Sequence, residues 1–183
     1  LDFTNKRFMD VGANIGAVSY MAVKGGASAI IGYEPMPDTF EVLKMNMEGK
    51  ATILNKALVG DNKQFISFFL HKKYPSCHTT VPVKGREKID VGCLNFWQEL
   101  NNFKPHVIKI DIEGAEYDIL LNDDFLEDYQ VKELFVEVDK NPRDKKYEYY
   151  QIINLLRKYY QSIKVINHES EYPLIHCKDY ITK

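Results

Sequence analysis

Little in the sequence points to a covalent or metal-built scaffold. Three cysteines, Cys77, Cys93 and Cys177, lie far apart in 183 residues and form neither a CxxC pair nor Cys/His finger spacing. Their scarcity argues against a disulfide-stapled fold and points to a reducing, cytoplasmic compartment. No apolar run reaches the ~18 residues of a membrane span, and the opening LDFTNKRF has no signal-peptide core. Neither sign of charge dominates: 24 Lys and Arg face 26 Asp and Glu, a net charge of −2 that gives no global attraction to a polyanion. Nucleic acid is therefore a disfavoured partner unless a local basic patch exists. Disorder is excluded by what is abundant, since 12 Tyr and 10 Phe within a 45% hydrophobic composition supply a sizeable core. A single domain over residues 1–183 is expected. Its start at Leu1, close before the first apolar run and without Met, suggests a segment of a longer polypeptide.

Hydrophobic periodicity alternates between strand and helix. Phe8 to Val11 reads as a short buried strand, followed by a Gly-containing turn and a helix from about Gly16 to Lys24. Ala29 to Tyr33 is a second strand ending at Glu34, and Pro37 opens a helix to about Met47. Thr52 to Leu54 is a third strand, and Phe65 to Leu70 alternates weakly, as a sheet extension or a hairpin arm. Residues 72–88, with two prolines, a glycine and scattered cations, read as a long functional loop. Val107 to Ile110 is a strand leading through a turn into a helix to about Leu121; Leu134 to Val138 is another strand and Tyr147 to Tyr160 an amphipathic helix. Ser162 to Ile166 and Leu174 to Cys177 suit a terminal antiparallel pair. This alternation predicts an α/β fold, a mostly parallel sheet covered on both faces, with ligands at the carboxyl ends of the strands.

Three stretches carry chemistry. In FMDVGANIG, Gly12 and Gly16 allow close backbone approach, and Asn14 tolerates the left-handed conformation. A dinucleotide fingerprint would need glycines at 12, 14 and 17, and the chain has Asn14 and Ala17 instead. Asp10 at the strand end would repel a pyrophosphate but suits a ligand bearing a sulfonium or ammonium group, as S-adenosylmethionine does. Glu34, about 20 residues after that loop, stands where a doubly wound fold places an acid against ribose hydroxyls. In IKIDIEGAE, Lys109, Asp111 and Glu113 share one face if the strand persists, so one cation and two acids converge in an otherwise apolar run. Asp111, Glu113 and His78 of the long loop are candidate bases, with Asp111 favoured for contact with the acceptor and His78 suited by its pKa near neutrality. The acids have no dedicated metal-ligand spacing, and no metal is assigned.

Together, FMDVGANIGAVSYMA, IGYEPMPDTFEVLKMNM and VIKIDIEGAEYDIL resemble the FkbM family of S-adenosylmethionine-dependent methyltransferases. The resemblance implies a class I, Rossmann-like fold with a seven-stranded, mostly parallel sheet, and O-methylation, commonly of a sugar hydroxyl. It implies a cofactor loop of Asp10, Gly12, Ala13, Asn14 and Gly16, ribose contact by Glu34 beside Pro35, and a signature of Lys109, Asp111, Glu113 and Glu116. Departures are the missing helical sequence before the first strand and VGCLNFWQEL, which has Leu94-Asn95 where a Leu-Asp pair is usual. The expected partner is a sugar or glycan acceptor, with fusion to or cooperation with a glycosyltransferase. Two competing readings stay open at this point. One is an RNA ribose methyltransferase using Lys72, Lys73, Lys84, Arg86 and Lys88 as a basic rim; the other is a non-catalytic cofactor-binding domain.

Overall fold

The computed structural model describes residues 2–71, 78, 80, 82–112, 115–121, 129, 131–140 and 148–181. Strand β1 (Arg7–Val11) pairs in parallel with β2 (Ala29–Tyr33) on one side and β7 (Val107–Ile110) on the other. Between β1 and β2 lies α1 (Ala17–Lys24), and α2 (Pro37–Met47) leads to β3 (Thr52–Leu54), which pairs in parallel with β2. Helix α4 (Glu116–Leu120) follows β7, and β8 (Glu133–Glu137) lies parallel beside it. Helix α5 (Tyr149–Leu156) then leads to β9 (Tyr160–Ile166) and β10 (Leu174–Tyr180), with β10 antiparallel to both β8 and β9. The seven strands run in the order β3-β2-β1-β7-β8-β10-β9. Chain order reverses direction at the β1/β7 boundary, the switch point where open α/β sheets hold their ligands.

Period-two alternation sorts the central strands between two apolar layers. Met9, Val11, Ile108, Ile110, Leu134 and Val136 join the large core, which includes Phe96 and Leu100 from the helix before β7, Tyr117 and Leu120 from α4, and Ile152 and Leu156 from α5. Phe8, Val107 and Phe135 face the other way, onto Ala22 of α1 and Phe3. Helices therefore cover both faces, as the alternation predicts. Complete burial of a side chain such as Ile108 stabilises by about 1.5–3 kcal/mol.

A second, three-stranded sheet went unread in the sequence as such. Strand β4 (Ala57–Val59) pairs in parallel with β6 (Lys88–Asn95), whose other edge pairs antiparallel with β5 (Phe65–Phe69), giving the order β4-β6-β5. Phe65 to Leu70 is thus a hairpin arm rather than an extension of the main sheet. The proposed loop over 72–88 ends one residue early, because Lys88 opens β6; residues 72–77, 79 and 81 lie outside the described residues. VGCLNFWQEL, unassigned by periodicity, forms the end of β6 and α3 (Phe96–Phe103). The Tyr147 to Tyr160 helix is shorter than expected at its C-terminus, since Tyr160 already belongs to β9.

Asn95 caps α3: its Oδ1 accepts the Gln98 N–H at 3.0 Å, while Nδ2 donates to the Asp61 carbonyl at 3.1 Å and to Asn62 Oδ1 at 3.2 Å. The amide oxygen accepts at the N-cap as a carboxylate oxygen would, and Nδ2 adds donor bonds that a carboxylate lacks. Asn95→Ala is expected to lower stability by about 1 kcal/mol, measured by chemical denaturation. Helix α3 also fastens the two sheets together. Trp97 Nε1 donates to the Gly60 carbonyl at 3.0 Å and Tyr33 Oη donates to Glu99 Oε2 at 2.6 Å. Among the described residues, no helix is long and apolar enough to cross a membrane.

Candidate active site

The turn after β1 is held by backbone geometry that few residues accept. Gly12, Asn14 and Gly16 have φ of 78°, 51° and 90°, the left-handed region in which a side chain strains all but Gly and Asn. Gly12 is doubly constrained, because a Cβ there would stand 1.9 Å from the Asp111 carbonyl oxygen. The Gly12 and Ala13 N–H groups donate to the Tyr33 carbonyl at 3.0 and 2.9 Å, folding the turn over the end of β2. Glu34 fastens it from the side: Oε2 accepts the Asn14 N–H and Oε1 the Met36 N–H, each at 2.9 Å. Burial pushes the Glu34 carboxyl up from its ordinary value, against the pull of those two N–H groups. Each oxygen keeps a lone pair, so Glu34 can still accept two hydroxyl hydrogens. Asn55 Nδ2 bonds the Glu34 and Pro35 carbonyls at 2.9 and 3.0 Å and sets the adjoining bend.

Lys109 is the hub beneath this turn. In register it lies opposite Asp10 across the β1/β7 pair. Its Nζ donates to the Gly12 carbonyl at 2.7 Å and sits 3.1 Å from Asp111 Oδ2 and 3.7 Å from Asp10 Oδ1. Burial opposes the ammonium charge, but Asp10 and Asp111 outweigh it and raise the Lys109 pKa. Asp10 is fully buried; its Oδ2 accepts from Ser19 Oγ at 2.6 Å, and burial raises its pKa against the pull of Lys109 and Ser19. The three acids Asp10, Asp111 and Glu137 all act on the single cation Lys109, with burial and then Asp111 raising the Glu137 pKa. Such a cluster favours a cationic ligand beside it.

A cavity of about 690 Å³ opens at these strand ends, a size typical of small-molecule sites. Gly12, Asn14, Glu34 and Pro35 line one part and Asp111 another, while β4, Ile66 and Phe68 of β5, His78 and Thr80 supply much of the remaining wall. Asp10, Ala13 and Gly16, expected against the ligand, do not line it. Asp10 turns under the loop toward Ser19 on α1, Ala13 is buried against Leu43 and Met47, and Gly16 caps α1 with no room for a Cβ beside Leu43. They shape the loop from behind. The strand ends at Ile110, so the period-two argument stops at Asp111, and Glu113 lies outside the described residues. Glu116 is buried, and its Oε1 accepts the Ile112 N–H at 3.0 Å, a turn-holding role.

His78 does reach the cavity, though in a state that changes its chemistry. Its Nδ1 accepts the His71 N–H at 3.0 Å, so the neutral ring carries its proton on Nε2 and offers a donor rather than a base there. Burial, then Arg86, lowers its pKa and keeps it neutral. The sequence reading passed over Glu137 and Lys56. Glu137 carries the same signal as Glu34, an acid ending a buried parallel strand, whereas Lys56 becomes visible only through the second sheet.

These residues fit S-adenosylmethionine: a carboxylate with lone pairs for vicinal hydroxyls, a turn that brings Gly12 to the cavity with no side chain of its own, and the Asp111 carboxylate, backed by Asp10 and Glu137, for a sulfonium or ammonium group. A family model described as the methyltransferase FkbM domain matches residues 10–162. Among curated proteins none matches the sequence. Of solved structures, the methyltransferase FkbM from Methylobacillus flagellatus is similar with a TM-score of 0.60 and 16% identity, over 97% of this chain and 44% of that one. Fibrillarin from Aeropyrum pernix, solved with natively bound S-adenosyl-L-methionine, has a TM-score of 0.54 at 10% identity, over 97% and 68%. The ribosomal protein L11 methylase from Lactobacillus delbrueckii subsp. bulgaricus has 0.52 at 11%, over 96% and 72%. The chain thus spans less than half the length of the FkbM structure it resembles.

Proposed function

Since the chain belongs to the FkbM methyltransferase family, whose methyl donor is S-adenosylmethionine, we propose that it O-methylates a saccharide hydroxyl, with Asp111 taking the acceptor proton. The observation that carries this reading is that one cavity joins Glu34 to Asp111. When bound, the cofactor supplies a methyl group activated on a sulfonium. Glu34 holds the ribose hydroxyls, and the turn through Gly12 and Asn14 lets the ligand approach the backbone. Lys109 fixes Asp111 through Oδ2 and leaves Oδ1 to accept the hydroxyl hydrogen. A sugar hydroxyl is a weak nucleophile, so a positioned carboxylate that receives its proton as the bond forms lowers the barrier. The saccharide part is supported by a wall that mixes the apolar faces of Ile66 and Phe68 with the Thr80 hydroxyl and the His78 donor. The net charge of −2 argues against a polyanionic RNA substrate. A glycosyltransferase domain or enzyme working beside this one would build such an acceptor.

Methyl-transfer assays over a panel of glycans, RNA and protein, read by mass spectrometry of the products, test the reading. A methyl mark on a glycan oxygen is the expected result. A mark on RNA or protein with none on any glycan overturns the saccharide assignment. Glu34→Ala removes the ribose acceptor and leaves two N–H groups unpaired. It should weaken cofactor binding by about 1–3 kcal/mol in calorimetric titration. Unchanged affinity would place the ribose elsewhere.

A further inference from the structure

One cation in the cavity wall is left open while its neighbour is closed. Lys63 is matched by Asp61 at 2.6 Å, whereas Lys56 has no ion-pair partner among the described residues. Lys56 sits in the tight bend between β3 and β4, where its N–H returns to the Leu54 carbonyl at 3.0 Å. Its side chain crosses β6 at Gly92. A Cβ at that position would stand 2.4 Å from Lys56 Nζ and 3.4 and 3.5 Å from its Cδ and Cε. Gly92 has no positive φ, and any Cβ there would have to push the Lys56 ammonium aside. A partly buried ammonium without a counter-charge costs solvation that a bound anion would restore.

The chemistry around Lys56 points the same way. Thr80 and the neutral His78, protonated on Nε2, offer donors on the cavity wall, and Asp61 is neutralised by Lys63. Three acids, Asp10, Asp111 and Glu137, share the single cation Lys109 at the ends of the main sheet, where a cationic donor belongs. The acids around Lys109 and the donors beside Lys56 thus belong to different parts of the fold, joined by the cavity that Asp111 and Lys56 both line. Resting on the saccharide reading above, we infer that the acceptor is acidic, a sugar bearing a carboxylate or a phosphate, and that Lys56, given its place by Gly92, is the residue that selects it.

The test uses the chain saturated with S-adenosylhomocysteine and three probes: glucuronate, a hexose phosphate and methyl glucoside. In calorimetric titration at least one of the two acidic probes should bind about tenfold or more tightly than methyl glucoside, and which one does so distinguishes carboxylate from phosphate. Lys56→Met should abolish that preference, and Lys56→Arg should retain it. Gly92→Ala, which keeps the charge and displaces the ammonium, should reduce it. Cofactor affinity should be unchanged in all three variants. Equal binding of all three probes, or an acidic preference that survives Lys56→Met, overturns the inference. So does a loss of cofactor affinity in Lys56→Met, which would give the lysine to the cofactor. If acidic and neutral sugars are methylated equally with no dependence on Lys56, this inference falls and the saccharide reading stands. Conversely, Lys56-dependent binding of an acidic probe, with methyl transfer found only on a non-saccharide acid, keeps the anion site and overturns the saccharide reading.

Discussion

Lys109→Met is expected to cost about 3–5 kcal/mol of unfolding free energy at neutral pH, the range for leaving a buried charge without its partner. The lysine side chain is 13% exposed and Asp10 is fully buried. Methionine fills a similar volume but donates nothing. Asp10 Oδ1, which has no hydrogen-bond partner and depends on Lys109 at 3.7 Å, is left bare, and the Gly12 carbonyl loses its donor. The pH dependence has a definite sign. Burial already raises the Asp10 pKa above its ordinary value of 3.8, and removing Lys109 raises it further. A carboxyl with a raised folded pKa contributes stability below its unfolded pKa and loses that contribution as pH climbs through the folded one. The deficit of the variant should therefore be full at neutral pH and shrink toward the acidic side. Adding Asp10→Asn should recover part of it by removing the stranded charge. Urea denaturation of the single and double variants at neutral and mildly acidic pH checks both statements. A neutral-pH loss below about 1 kcal/mol would mean that Lys109 does not hold the site together.

Asp111→Asn should lower kcat by about 10²–10⁴-fold, the usual span for a positioned acid–base group. The affinity for S-adenosylmethionine should stay within a few-fold of the parent, because Glu34 and the Gly12 turn carry the cofactor. Asparagine preserves the volume and can still turn its carbonyl toward Lys109, so stability should change little. Single-turnover methyl transfer paired with calorimetric cofactor titration separates the two effects. Full turnover in Asp111→Asn would send the search for the base to Glu113 or Glu137. His78 is poorly placed to take over, since its Nδ1 is occupied by the His71 N–H and its Nε2 bears the proton.

The main sheet was legible because its signals are local. Buried parallel strands are continuous apolar runs, so Ala29 to Tyr33 and Val107 to Ile110 coincide with β2 and β7, and the short run Thr52 to Leu54 coincides with the edge strand β3. Pro37 and Met47 bound α2 in sequence and in structure alike. The second sheet was not legible. Lys88, Asp90 and Gly92 dilute the apolar pattern of β6, and its pairing with β4 joins Ala57 to Cys93, a contact no local window contains. With that sheet went the small-sheet wall of the cavity, and therefore Lys56.

By itself, the sequence determined the α/β alternation, the turn that only Gly12, Asn14 and Gly16 could form, the strand-end acids Asp10, Glu34 and Asp111, and through their order the family. Backbone conformation and strand burial are short-range properties written into neighbouring residues. Tertiary structure alone decided which of those acids meets the cavity. Side-chain direction depends on where a strand ends and what packs over it, and this turns Asp10 under the loop to Ser19, leaves Asp111 open beside Lys109, and engages Glu34 with two backbone N–H groups. Tertiary structure also decided that His78 donates and that Lys56 has no ion-pair partner among the described residues, because hydrogen-bond partners and ion pairs are set by residues distant in the chain that only folding brings together.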